Sequence, residues 1–282
     1  MVRPVRPEDL GGLLELLRWM DADPARRVLA PEARSEEELW WAADEGWVLE
    51  QDGRVAGYAA LYPFRQGGAL EGPLVREADP APLLGRVDEE ARLRGWPTLY
   101  AFPNEANAAV RTALEAAGYA ALHTSYFFTT PPRDLAYPPP EGVRIERVTN
   151  LDPEVYCDLY RASEDAWSLR LGWTALELIE HFQRPDVALW YAYEAGRPVG
   201  LVELEITPET AEIAYLGVVP AARGRGVGRA LLAAAAGHAF GRGARELKVR
   251  AHDHEKAAIA LYERLGFKLA DAVVTYAKER SP

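Results

Sequence analysis

The 282-residue chain has one cysteine, Cys157, so no intramolecular disulfide can staple it, and a reducing, cytoplasmic setting is expected. No charge-free stretch is long enough to cross a bilayer, and the opening MVRPVRPEDL lacks the apolar centre of a secretory signal, so no membrane partner is expected. Basic residues are outnumbered 43 to 32, giving a net charge of −11. That balance excludes the broad basic surface of a general nucleic-acid binder. No Gly-Lys-Ser or Gly-Lys-Thr triplet occurs, which excludes a P-loop. Histidines are few. His252 and His254 flank Asp253 without a clear third ligand, so a surface pair and no metal are expected.

What is present suffices for more than one average domain, with a hydrophobic content of 49%. Leu10, Leu13, Leu14 and Leu17 repeat at helical spacing. Ser35 with Glu38 three residues on reads as a helix start. Trp47–Glu50 and Val55–Tyr62, joined at Asp52-Gly53, read as a hairpin. Further strands are expected over Ala69–Val75, Thr98–Phe102 and Ala120–Thr130, with helices over Pro82–Arg94 and Asn104–Ala117. Residues 131–142 then hold five prolines, which favour a stiff, extended connector.

Beyond it the order begins again. Val143–Arg147 echoes Val2–Arg6, Gly196-Arg197-Pro198-Val199-Gly200 echoes Gly53-Arg54-Val55-Ala56-Gly57, and Tyr262–Phe267 echoes Leu114–Tyr119. The expected division is 1–130, a linker at 131–142, and 143–282. Gly53 and Gly196 are 143 apart but Gly118 and Gly266 are 148 apart, so the second copy has gained five residues between these landmarks.

The place for that gain is Glu212–Leu232, where an apolar strand runs into Arg223-Gly224-Arg225-Gly226-Val227-Gly228-Arg229 and then an alanine- and leucine-rich helix. Strand, glycine turn and helix aim unpaired amides at an anion, and the arginines add charge-assisted donors. A phosphorylated ligand is expected there. A dinucleotide fingerprint fits poorly, because it would want glycine at Arg229. The first copy has two prolines and no glycine between Val75 and Leu83, which removes the amides.

Two motifs in order, Val219-Pro220-x-x-Arg223-Gly224-x-Gly226-x-Gly228 and Ala258-x-x-x-Tyr262-x-x-x-Gly266-Phe267, resemble the GNAT superfamily of N-acetyltransferases. The resemblance covers roughly Val143–Ala277 directly and the first copy through its internal similarity. It implies an α/β (α+β) class: two tandem acyl-CoA N-acyltransferase folds, each a mixed, mostly antiparallel sheet flanked by helices, the first copy degenerate. It implies transfer of an acetyl group from acetyl-CoA to a primary amine of a small-molecule acceptor. A non-catalytic acyl-CoA-binding module and an acyltransferase with another donor are the alternatives. Two fused copies could stand as a monomeric pseudo-dimer or pair as a homodimer.

Residue by residue, the resemblance puts the pyrophosphate on Arg223, Gly224, Arg225, Gly226, Val227, Gly228 and Arg229, and the pantetheine arm along the backbone near Leu216 and Val218. Tyr262 is the expected proton donor to the departing thiolate, while Leu114 in the first copy could not serve. Glu212 is the expected general base. Glu203 and Glu205 share a strand face and are rival bases or amine-binding groups. Trp167 and Trp173 fall in the segment that the resemblance assigns to the acceptor site. Glu255 departs from the family's asparagine seven residues before the tyrosine, a residue kept only in the first copy as Asn107; glutamate can still cap a helix.

Overall fold

The computed structural model describes residues 1–33, 35–43, 45–163 and 170–280. In chain order its elements are β1 (Val2–Pro4), α1 (Leu10–Asp21), α2 (Glu36–Ala43), β2 (Trp47–Gln51), β3 (Arg54–Phe64), β4 (Gly67–Val75), α3 (Ala81–Leu93), β5 (Thr98–Ala101), α4 (Ala108–Ala116) and β6 (Ala120–Thr130). Then follow β7 (Val143–Arg147), α5 (Pro153–Ala162), α6 (Ala175–Gln183), β8 (Val187–Glu194), β9 (Arg197–Ile206), β10 (Thr210–Val218), α7 (Val227–Gly241), β11 (Glu246–His252), α8 (Lys256–Arg264) and β12 (Lys268–Glu279). The architecture is the expected mixed, mostly antiparallel sheet flanked by helices.

The chain divides into two compact units, one of Met1–Tyr126, His252–His254 and Asp271–Pro282, the other of Phe127–Ala251 and Glu255–Ala270. This differs from a cut at the prolines. The closing strand joins the first unit because Tyr276–Glu279 pair antiparallel with Ala101–Thr98 of β5, and Val274 and Tyr276 enter that unit's core. Residues 131–142 carry no regular element, but they are not a detached tether. Leu135 is buried in the second unit, and the guanidinium of Arg133 lies against Gly266.

In the first unit the strand order is β1-β2-β3-β4-β5-β12, antiparallel except for β4 beside β5. The helical repeat of α1 buries Leu10, Leu13, Leu14 and Leu17 in the same core as Leu83, Leu84 and Val87 of α3. The β2–β3 turn has Asp52 at φ 52° and Gly53 at φ 72°, the left-handed pair that a two-residue hairpin needs.

In the second unit β7, β8, β9 and β10 are successively antiparallel and β11 runs parallel to β10. One sheet face packs on α7: a Cβ added at Gly200 would meet Leu231 at 3.0 Å. Tyr156, Leu159 and Tyr160 of α5 and Leu178 of α6 cluster on the other face with Leu189, Tyr191 and Leu201. Asp152 caps α5 through the amides of Glu154 and Val155, and Thr174 with Glu177 closes a capping box on α6.

Candidate active site

The turn expected to hold an anion is built from backbone. Val219 starts a short 3-10 turn over Pro220–Ala222, and Gly224 and Gly226 then take φ values of 73° and 93°, where a side chain would strain the chain. Gly226 is the N-cap of α7 and offers no side chain to its amides, and the first turn holds no acidic residue. The first helical hydrogen bond runs from Ala230 N–H to Gly226 O at 3.0 Å, so the amides of Val227, Gly228 and Arg229 precede it. Around this end the arginines differ in use. Arg225 is paired with Glu194, and the Arg229 guanidinium lies 4.7 Å from the Tyr137 ring centre. Arg223 donates from Nε to Val218 O at 2.9 Å and from Nη2 to Ser163 O at 3.0 Å.

The turn sits at the end of a parting between strands. The register of β10 on β11 runs from Thr210↔Glu246 to Ile213↔Val249 and stops, while β10 stays paired to β9 as far as Val218↔Gly200. A bulge between Ile213 and Tyr215 bends β10 where the partnership ends. Backbone polar groups alternate sides along a strand. Because Val219 N–H donates to Val199 O on the β9 side, the N–H and C=O of Leu216 and Val218 point the other way, toward the parting. The carbonyl of Val218 is taken by Arg223, which among the described residues leaves its N–H and both groups of Leu216.

Three carboxylates share the sheet face on which α5 and α6 pack. Leu201, Glu203 and Glu205 alternate onto it, and Glu212 lies directly across from Glu205. They differ sharply in environment. Glu203 has no exposed surface: the Tyr156 hydroxyl donates to it, and Arg170 Nε stands 2.7 Å from its second oxygen. Burial holds its carboxyl above the usual range, with Arg170 opposing. Glu205 accepts from Arg170 Nη2 at 2.9 Å and lies 3.8 Å from His181 Nε2, whose buried ring is held below its usual pKa by burial and by Arg170. Glu212 is exposed and forms no ion pair among the described residues. Glu203 is thus a buried anchor for Arg170, and Glu212 is the carboxylate open to an incoming group.

Tyr262 is buried on α8, with its ring near Phe128 and Phe267. Burial, with the nearby Glu255 carboxylate adding, pushes its phenol above the ordinary value near 10, so the hydroxyl keeps its proton. Glu255 occupies the N-cap of α8 but makes no side-chain cap bond, whereas Asn107 caps α4 by accepting from Val110 N–H at 3.1 Å. Trp173 stacks under Arg170, 4.8 Å from its guanidinium, and meets the His181 ring edge-on. Trp167 lies outside the described residues. Cys157 is half-buried at the edge of the α5 core. In the first unit the rings of His252 and His254 stack 5.5 Å apart.

Comparison with known proteins supports a family assignment. The model of the GNAT acetyltransferase family matches residues 153–267, from α5 to the residue before β12. A mycothiol acetyltransferase of Thermomonospora curvata is 29% identical over 77% of this chain and 76% of its own length. A GCN5-related N-acetyltransferase from Sphaerobacter thermophilus superposes with a TM-score of 0.76 at 22% identity, covering 100% of this chain and 96% of that one. A tandem GNAT protein from the clavulanic acid biosynthesis pathway gives 0.65 at 18% identity, covering 100% and 99%. Residues 153–267 thus match the GNAT acetyltransferase family, and the whole chain is similar in fold to a tandem GNAT protein.

The two units can be compared position by position through their strand registers. Gly57↔Val75 matches Gly200↔Val218, and Tyr62↔Ala69 matches Glu205↔Glu212. The first unit therefore has Ala69 where the second has Glu212, and Ala60 where it has Glu203. Its helix after β4 begins with Ala81 N–H bound by Asp79 Oδ1 at 2.9 Å, and Pro80 and Pro82 supply no amide. The carboxylate of Asp79 thus takes one amide of the first helical turn, where the second unit offers no side chain to its own.

Sequence reasoning did not find Arg170 or Tyr156 as partners of Glu203. Arg170 stands at the start of a short 3-10 turn with no periodic pattern around it, and Tyr156 reads as one more core aromatic of α5. Gly217 was also missed: a Cβ there would lie 2.6 Å from Ser163 Oγ and 2.7 Å from Tyr215 Cε1.

Proposed function

We propose that the second unit takes acetyl-CoA as donor and transfers its acetyl group to a primary amine of a small-molecule acceptor by direct attack. The observation that carries this reading is the parting of β10 from β11 after Ile213↔Val249, leading straight to the uncapped end of α7. The outward groups of Leu216 and Val218 would bind the pantetheine arm as an added strand binds a sheet edge. The amides of Val227, Gly228 and Arg229 would receive the pyrophosphate.

Acetyl transfer from a thioester requires a neutral amine and a stabilised thiolate. Glu212 is the exposed carboxylate that can accept the ammonium proton, directly or through water. Tyr262 keeps its proton because it is buried. A phenol above 10 is a weaker acid than a thiol near 8.5, so full proton transfer to the thiolate runs uphill. The hydroxyl then acts mainly as a hydrogen-bond donor to the charge that develops on sulfur. No covalent intermediate on the enzyme is needed, and Cys157 has no part in the step.

The test is release of free CoA thiol from acetyl-CoA across a panel of small primary amines, with wild type and Tyr262→Phe. Turnover with at least one amine is expected. The Phe variant should lose roughly tenfold to hundredfold in kcat, with acetyl-CoA affinity kept. No CoA release with any amine would refute the reading.

A further inference from the structure

We propose that Arg223, the first residue of the glycine signature, is a positioning residue and not a phosphate ligand. It fastens the free end of β10 to the end of α5 and so holds the edge that receives the donor's arm. The consequence for the arm rests on the acetyl-CoA reading above; the fastening does not.

Past Ile213, β10 has a neighbouring strand only on the β9 side. A strand end held along one edge frays more easily than one held along both. Contacts from α5 replace the missing strand. Ser163, the C-cap of α5, is buried; its N–H bonds back to Leu159 O at 3.0 Å and its Oγ to Tyr160 O at 2.8 Å. The same Oγ shares a hydrogen bond with the Tyr215 hydroxyl, and the Tyr215 ring stacks on Tyr160 with centroids 3.9 Å apart and 14° between planes. Gly217 makes the seat, since any side chain there would collide with Ser163.

Arg223 then closes the assembly. Its planar fork spans two carbonyls, Val218 O on β10 and Ser163 O at the end of α5. Two directed bonds to backbone oxygens on different elements suit a guanidinium and not an ammonium, whose single nitrogen cannot reproduce the fork. Both bonds are charge-assisted, and they commit Nε and Nη2 to backbone carbonyls. Signature residues read as cationic bait for pyrophosphate thus divide: the amides of α7 face the anion, and Arg223 faces the strand.

The experiment compares wild type, Arg223→Gln and Arg223→Lys with two probes, acetyl-CoA and 3′,5′-ADP, which carries phosphate but no pantetheine arm. Hydrogen exchange of the peptide covering 212–219 is followed in parallel without ligand. Both variants should weaken acetyl-CoA by about tenfold while 3′,5′-ADP moves by less than about twofold. Amide exchange over 215–218 should speed by about tenfold or more. Equal weakening of both probes, restored by lysine, would make Arg223 a phosphate ligand and overturn the proposal; unchanged exchange would overturn it as well. If wild type binds no acetyl-CoA, the donor reading fails, and the exchange comparison alone decides the fastening. Should Arg223→Gln not fold, Arg223→Lys gives both readouts.

Discussion

Replacing Arg170 by Met isolates the best-defined electrostatic feature of the second unit. Glu203 is fully buried and faces Arg170, whose side chain is 16% exposed, across 2.7 Å. Removing one partner of such a pair leaves an uncompensated buried charge, at a cost of about 3–5 kcal/mol. Arg170 retains some solvent contact and Tyr156 still donates to Glu203, so the lower end, about 3 kcal/mol, applies. For a unit of this size that lowers the melting midpoint by roughly 6–12 °C. The pH dependence fixes the cause. The folded-state pKa of Glu203 is raised by burial, and losing Arg170 raises it further. A carboxyl with a raised folded pKa binds its proton more tightly when folded, so stability falls as pH rises from the unfolded value near 4.5 through the folded one. The deficit of Arg170→Met should therefore be full above the folded pKa and shrink on acidification toward 4.5. Glu203→Gln placed in the same background should recover most of it at neutral pH. Thermal unfolding of wild type, Arg170→Met and the double variant between pH 5 and 8 measures this. A deficit below about 1 kcal/mol, one that does not vary with pH, or a double variant no better than the single would refute the reasoning.

Two further outcomes follow from close contacts. Gly217→Ala forces a methyl to within 2.6 Å of Ser163 Oγ and should cost about 1–3 kcal/mol by denaturant unfolding; an unchanged midpoint would contradict the seat. In the first unit Arg3 forks onto Asp9 at 2.7 and 2.8 Å and its hydrogen bonds hold that carboxyl below the usual range, so the stabilisation is present above about 3.8 and lost as pH falls through the folded pKa. Asp9→Asn should cost roughly 2 kcal/mol at pH 7 and flatten the acid limb, and an acid limb identical to wild type would exclude this pair as its source.

Much of the fold was legible because local chemistry agreed with tertiary structure. The Asp52-Gly53 and Ala195-Gly196 turns both take positive φ, and β6 runs over the residues its pattern marks. Helix α4 starts at Ala108 and not at 104, because Asn107 is its cap and the Asn104 side chain binds Ala106 N–H instead. The division of the chain was not legible in this way. Prolines mark irregular backbone, but nothing in Asp271–Glu279 states that it will pair with β5, a partnership decided by register far away in sequence. At the site, the glycines declared their turn through conformation alone. Glu203 and Glu205 were seen to share a face, yet that one is fully buried, the other half-buried, and both paired to Arg170 is something no spacing rule points to. Arg223 was legible as a cation but not as a bridge, since backbone carbonyls leave no trace in the choice of residue.

The central claim is that the α7 turn is the acetyl-CoA site of the chain. Calorimetric titration of acetyl-CoA into wild type and Gly226→Glu tests it most directly, because the variant puts a carboxylate at the φ 93° N-cap position where the anion would rest. One site per chain in wild type and none in the variant is the expected result. Two sites in wild type, or binding retained by Gly226→Glu, would contradict it.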